Sequence, residues 1–270
     1  MNLFERFVHS MQWTAPMQTE YGLFHIFFLI FTICLTVLLI LKFKNSDEKT
    51  YKTILFFLWI ILVLFEIYKQ LVFSFNYDGV TAYWDYQWYA FPFQFCSTPM
   101  YTLPFIIFIK NKKINIYAEA FLSLYSLFAG LAVMIAPGSV FHTTLIGVAV
   151  QTMIHHGFMI VIGSFIISRN IDNLNLKYFL KSVITFLILI VVAIILNETI
   201  IFVTTETFNM FFISRHFECT LLSILATIQN NFPYIVFLLV YILCFSLAAL
   251  IILYVIKYTL ILINKITHKN

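Results

Sequence analysis

Long apolar stretches separated by short polar ones organise this sequence. Seven of them lie at about residues 22–41, 53–74, 91–109, 117–136, 145–168, 178–203 and 233–257. Each is close to the ~20 residues that an α-helix needs to cross a bilayer. The pattern predicts an all-α membrane protein, a seven-transmembrane-helix bundle over residues 22–257. It is flanked by an interfacial segment at 1–21 and a short tail at 258–270. The stretch NLFERFVHSMQW has scattered apolar positions and suits a segment lying flat on the membrane surface. No soluble domain and no internal repeat is visible. The longest non-apolar segments are 1–21, 75–90 and 204–232.

Composition agrees. The chain is 62% hydrophobic and 10% charged, with a mean hydropathy of +0.95. Soluble domains are about half apolar and about a quarter charged. A net charge of +4 is too small to suggest a nucleic-acid partner. The charges report topology instead. Lys42, Lys44, Lys49, Lys52, Lys110, Lys112, Lys113, Arg169, Lys177, Lys181, Lys257, Lys265 and Lys269 all fall on one side of a seven-span arrangement, against Arg6 and Arg215 on the other. Basic residues stay cytoplasmic, which places the N-terminus outside and the C-terminus inside. The Tyr83–Tyr89 cluster suits the outer aromatic belt. A multi-pass protein of the plasma membrane is expected. The first apolar run lacks the basic region and small-residue cleavage site of a signal peptide.

Motifs exclude several chemistries. Four cysteines show no CxxC and no Cys/His pairing at metal spacing, so no metal and no cofactor is expected. No nucleotide-binding glycine fingerprint and no GxSxG elbow occurs.

Ionisable groups inside a bilayer are expensive and mark function by default. His25 lies near the outer end of the first run, Glu66 and Lys69 in the outer half of the second. Gln151, His155 and His156 lie on the fifth, and Asn197 and Glu198 near the outer end of the sixth. This clustering suggests one outward-facing polar cavity. Glu66 and Lys69 share a helix face and are expected to pair as a structural clamp. Gln and Asn also serve as interhelical glue. Cys34 and Cys244 read as small packed hydrophobes. Oxidation would allow a Cys96–Cys219 disulfide.

Cys96 differs in its neighbours. Pro99 cannot donate to the Phe95 carbonyl, nor Pro104 to that of Met100. The two freed carbonyls must be satisfied by water, side chains or ligand. Gln94 and Thr98 add hydrogen-bonding capacity. A nearby histidine would activate a buried thiol. His156 shares a small, polar helix face with Ala149, Thr152 and Gly163, while His155 lies about 100° round the helix. By residue counting, His156 sits deeper than Cys96.

At these residues the sequence resembles the YwaF-like integral membrane proteins of bacteria, relatives of the animal transmembrane-protein-164 lipid acyltransferases. Phe91-Pro92-Phe93-Gln94-Phe95-Cys96 is similar to the family's LP-x-x-x-C. Gly130 is followed by Pro137. Gln151 with His156-Gly157 is similar to Q-x-x-x-x-H-G. Asn209-Met210-Phe211-Phe212 is similar to N-Y-M-F, and Pro233-Tyr234 opens the last helix. The resemblance covers about residues 22–245. It implies Cys96 as nucleophile and His156 as base, with a membrane phospholipid or lyso-lipid as partner and an acyl-thioester intermediate, in an acyltransferase or, where water takes the chain, an acyl-ester hydrolase. Gln94, Gln151, Asn209, His25 and His155 are the candidate substrate-binding residues. A transporter or small-molecule-binding bundle is the competing class, and a purely structural subunit the third.

Overall fold

In the computed structural model, residues 1–141 and 143–267 are described, without the side chains of Ser139, Leu260 and 263–267. Among these, six helices are long and apolar enough to cross a membrane. They are α2 (Leu23–Phe43), α3 (Glu48–Val72), the continuous pair α5 (Lys112–Phe121) and α6 (Leu127–Ile135), α7 (Ile146–Arg169), α8 (Leu176–Ile200) and α10 (Tyr234–Thr267). The remaining apolar run forms a shorter helix over Phe95–Phe108, whose α-helical part is α4 (Thr98–Phe108). Fourteen residues reach about 21 Å, short of a ~30 Å hydrocarbon core. Prolines cause the shortening, as shown below.

Capping sets several helix starts before the apolar runs begin. Asp47 accepts from the Thr50 N–H at the start of α3, and Asn111 accepts from the Lys113 N–H at the start of α5. These caps satisfy backbone donors that a helix cannot pair internally. Both helices therefore gain a polar first turn beyond the stretch that hydropathy marks. Between α5 and α6 the backbone passes through a π-helical turn, Leu122–Ser126, which is wholly buried.

The centre of the bundle is α7. Inside the protein lies 72% of its apolar window, against 22% for α2, α3 and α10, whose outer faces are left for lipid. Helix α6 packs closely on α7 because Gly130 has no side chain. A Cβ there would stand 2.8 Å from the His156 carbonyl oxygen.

A small cap covers the end of the bundle opposite the lysine-rich one. Helix α1 (Leu3–Met11) begins with a capping box between Asn2 and Glu5. Its Val8 and Met11 pack on Val72 and Val148, beside a hairpin of β1 (Phe75–Tyr77) and β2 (Ala82–Trp84). Leu3, Phe4, Phe7, Trp13 and Trp84 remain exposed around this cap. That pattern suits a helix and hairpin lying in a bilayer interface. The cap is completed by residues 201–233, which carry α9 (Ser223–Asn231). At the other end α10 continues as helix to Thr267, and residues 268–270 lie outside those described.

Candidate active site at the Cys96 turn

Cys96 lies in a turn that precedes α4. Pro92 holds Phe91 extended, at φ −47°, ψ 137°, and Gln94 is extended at ψ 165°. Phe95–Ser97 form a 3-10 turn, and α4 begins at Thr98 with Pro99 in its first turn. Proline is tolerated there because its missing N–H would be unpaired in any case. The carbonyls freed by proline are both satisfied by side chains. Thr98 Oγ1 donates to Phe95 at 2.7 Å, and Trp59 Nε1 donates to Met100 at 2.9 Å. Neither is left for a ligand. The Cys96 side chain is half-buried, two residues ahead of the start of α4.

The Cys96 turn packs against α7, so the third and fifth apolar runs are neighbours. His156 Nδ1 lies 2.8 Å from the Thr152 carbonyl of its own helix. A carbonyl can only accept, so Nδ1 carries the proton and Nε2 keeps a lone pair. Among the described residues Nε2 has no hydrogen-bond partner, and His156 retains 7% exposure. His155 points towards α3, with Nε2 donating to the Leu62 carbonyl at 3.1 Å. Its Nδ1 is buried with no hydrogen-bond partner among the described residues. No hydrogen bond among the described residues joins the thiol to either ring.

Glu66 ties this region together. Its Oε1 accepts from Lys69 Nζ at 2.7 Å and from Gln70 Nε2 at 2.8 Å. Its Oε2 accepts from Gln151 Nε2 at 3.2 Å and stands 4.0 Å from His155 Nε2. The expected Glu66–Lys69 pair forms, and Gln151 and His155 join its surroundings. Beside it a pocket of about 530 Å³ opens between α3 and α4, lined by Trp59, Val63, Glu66, Ile67, Met100 and Tyr101 among others. Ile67 and Tyr101 are exposed on the outer wall of the bundle, so the pocket opens sideways.

Gln94 and Asn209 meet in a separate cluster. Gln94 Nε2 donates to the Asn209 carbonyl at 3.0 Å, and Gln94 Oε1 accepts from the Phe211 N–H at 3.1 Å. Asn209 Oδ1 accepts from Ser214 N–H, and its Nδ2 donates to the Glu218 carbonyl. Both amides thus hold an irregular strap over residues 209–214. Phe211 and Phe212 take left-handed backbone, at φ 59° and 57°. For bulky residues this is costly, and surrounding bonds must enforce it. Asn197 supplies two of these, to the N–H and carbonyl of Met210. Tyr241 Oη donates to the Phe211 carbonyl, and Tyr234 Oη to that of Ile213. The Phe211 ring is fully buried against Phe93 and Phe95, at 5.6 and 5.3 Å between centroids.

His25 forms a third cluster. Its Nδ1 accepts from the Tyr21 N–H and its Nε2 donates to the Met134 carbonyl, each at 3.0 Å. Both nitrogens are spent joining α2 to α6. The polar residues therefore divide into three groups instead of lining one cavity. Cys219 is buried and unbonded to Cys96, so the disulfide does not form. Cys34 and Cys244 are exposed on helix surfaces instead of packed inside.

The TMEM164 family model matches residues 18–257. The chain belongs to the TMEM164 family. The match takes in five of the six long helices whole and most of α10. The protein is accordingly a multi-pass membrane protein. No curated protein and no solved structure matches it.

Sequence reasoning passed over Trp59, Gln70 and Tyr241, and named Tyr234 only as the opening of the last helix. Their targets are carbonyls on other segments, and a carbonyl leaves no mark in a hydropathy pattern.

Proposed function

We propose that this protein is a seven-segment membrane enzyme that moves acyl chains between lipids through an acyl-thioester on Cys96. His156 is the base, the N-terminus is outside and the lysine-rich end is cytoplasmic. The reading is supported by a half-buried thiol in the turn ahead of α4 and a histidine on α7, the helix that this turn packs against. That histidine has Nδ1–H fixed by Thr152 and Nε2 free.

The chemistry follows from those groups. His156 Nε2 takes the thiol proton as Sγ attacks the ester carbonyl of a phospholipid. The tetrahedral species collapses, the lyso-lipid oxygen leaves with the proton from His156, and the acyl chain remains on Sγ. A lyso-lipid hydroxyl then attacks the thioester, and the thiol is regenerated. Water in place of that hydroxyl makes the same site a hydrolase. Apo hydrogen bonds between a nucleophile and its base are often open and tighten with substrate. The sideways pocket between α3 and α4 supports entry of an acyl chain directly from the bilayer. Localisation to the plasma membrane goes with this reading.

The test is lipid turnover in proteoliposomes of defined phospholipid and lyso-lipid. Cys96→Ala is expected to abolish acyl exchange. His156→Ala is expected to lower it by about 10²–10⁴-fold, the usual worth of a positioned base. Full activity in a folded Cys96→Ala variant would overturn the proposal.

A further inference from the structure

The three residues that lead into Cys96 are all clamped to the strap over 209–214. The rings of Phe93 and Phe95 pack on the Phe211 ring, and Gln94 between them bonds the Asn209 carbonyl and the Phe211 N–H. Phe211 is itself held at both of its backbone groups. Gln94 Oε1 accepts from its N–H, and Tyr241 Oη donates to its carbonyl at 2.8 Å. Upstream the same two segments stay together, with the Phe91 ring 5.3 Å from that of Phe208.

The left-handed backbone at Phe211 and Phe212 is the costly part of this clamp. A glycine would take φ 59° without strain, yet position 211 carries a ring that is 0% exposed. Strain kept at one position directs attention to what its side chain does there. The Phe211 ring completes the enclosure of Phe95. The other rings around Phe95 include Phe121 of α5, Phe186 of α8 and Phe245 of α10, all from long helices, whereas Phe211 comes from the strap. Cys96 is the next residue. It sits in a 3-10 turn closed by Thr98, whose N–H and Oγ1 both donate to the Phe95 carbonyl. A shift of Phe95 therefore moves the thiol.

We infer that Phe211 is a positioning residue for the nucleophile: its ring, held in place by the strained strap, fixes where the Cys96 turn sits against α7. This rests on the acyl-thioester reading, in which Sγ must come within hydrogen-bond reach of His156 Nε2. Phe211 acts through Phe93 and Phe95, and Gln94 and Tyr241 act through Phe211. Misplacing a reacting group by about 1 Å costs about 100-fold in rate.

The experiment is a double-mutant cycle on the full-length protein in detergent. The rate of acyl-adduct formation from a phosphatidylcholine is read by intact-protein mass spectrometry. Phe211→Gly removes the ring and relaxes the backbone, and is expected to slow the adduct about 100-fold. In a His156→Ala background the thiol has lost the group it must meet. There the same change is expected to cost no more than about threefold. Phe212→Gly relaxes the neighbouring residue and keeps the Phe211 ring, so its rate is expected to stay within about threefold of wild type. Phe211→Leu keeps a buried apolar side chain in the folded protein and is expected to lose about tenfold. It serves the same cycle where the glycine variant does not fold. Wild-type rates in folded Phe211→Gly or Phe211→Leu overturn the inference. So do equal fold-losses with and without His156, which a merely looser fold would give. A loss in Phe212→Gly as large as that in Phe211→Gly also overturns it, since backbone and not ring would then matter. Absence of an adduct on wild type is a different result. It sinks the Cys96 reading itself and this inference with it.

Discussion

Replacing Glu66 by Leu should uncover a buried, uncompensated charge. The Glu66 side chain is 6% exposed and that of Lys69 is 11% exposed, with 2.7 Å between their charged atoms. Removing one partner of such a pair costs about 3–5 kcal/mol, because the other charge stays out of water. Gln151 also loses the acceptor for its Nε2, a contact of 3.2 Å. An orphaned buried donor adds about 1–3 kcal/mol, though the two losses overlap. A total of about 4 kcal/mol is expected, a melting-point drop of about 10 °C for a chain of this size. Glu66→Leu with Lys69→Met removes both charges at similar volume, which is often close to neutral. Gln151 loses its acceptor in both variants, so their difference isolates the charge. Thermal unfolding in one fixed detergent, followed by tryptophan fluorescence, measures it. The double variant should melt well above Glu66→Leu. Equal melting of the two would refute the reasoning, since the Lys69 charge would then cost nothing when unpaired.

Three further outcomes test the site's supports. Trp59→Phe should destabilise the wild type by about 1–3 kcal/mol by orphaning the Met100 carbonyl. The loss should shrink in a Pro104→Ala background, where residue 104 regains an N–H to offer, and a double-mutant thermal cycle reads the difference. Asn197→Leu removes two bonds to the buried backbone of Met210 and should cost about 2–4 kcal/mol. It should also speed proteolysis within 204–222, while Asn231→Leu in the cap should not. At the hairpin tip, Asp78 accepts from the N–H groups of Val80 and Thr81, each at 2.8 Å. The backbone N–H of Thr81, then that of Val80, holds its carboxyl below the usual 3.8. A lowered folded value stabilises the turn above the unfolded pKa and loses that support as pH falls through the folded one. Hydrogen exchange across 75–84, corrected for intrinsic rates, should therefore rise as pH drops below about 4, and Asp78→Asn should flatten the response.

Much of the bundle was legible because a membrane helix must be apolar over its whole length. Six of the seven runs became long helices. Polar caps at Asp47 and Asn111 moved two of the starts outward. The seventh, 91–109, was apolar enough but carried Pro92, Pro99 and Pro104, and hydropathy does not register a missing N–H. Its helix starts late as a result, and Cys96 falls in the turn before it. Of the polar residues, Glu66 and Lys69 were readable as a pair because they lie three apart on one helix. Gln94 and Asn209 were not, because 115 residues separate them and both bind backbone. The same holds for His25, whose partner Met134 is 109 residues away. Helical periodicity separated His155 from His156 by face. It did not show that His155 would turn to Leu62 while His156 kept Nε2 free. Cys34 and Cys244 sit on helices that are apolar all round, where sequence does not tell the lipid face from the packed one.

The central claim is that Cys96 carries an acyl chain. Intact-protein mass spectrometry after incubation with a panel of phospholipids tests it directly. The account predicts a hydroxylamine-sensitive acyl adduct on wild type, lost in Cys96→Ala and much reduced in His156→Ala. No adduct across the panel, with no lipid turnover, would contradict it and leave Cys96 as a structural thiol in a binding or transport protein.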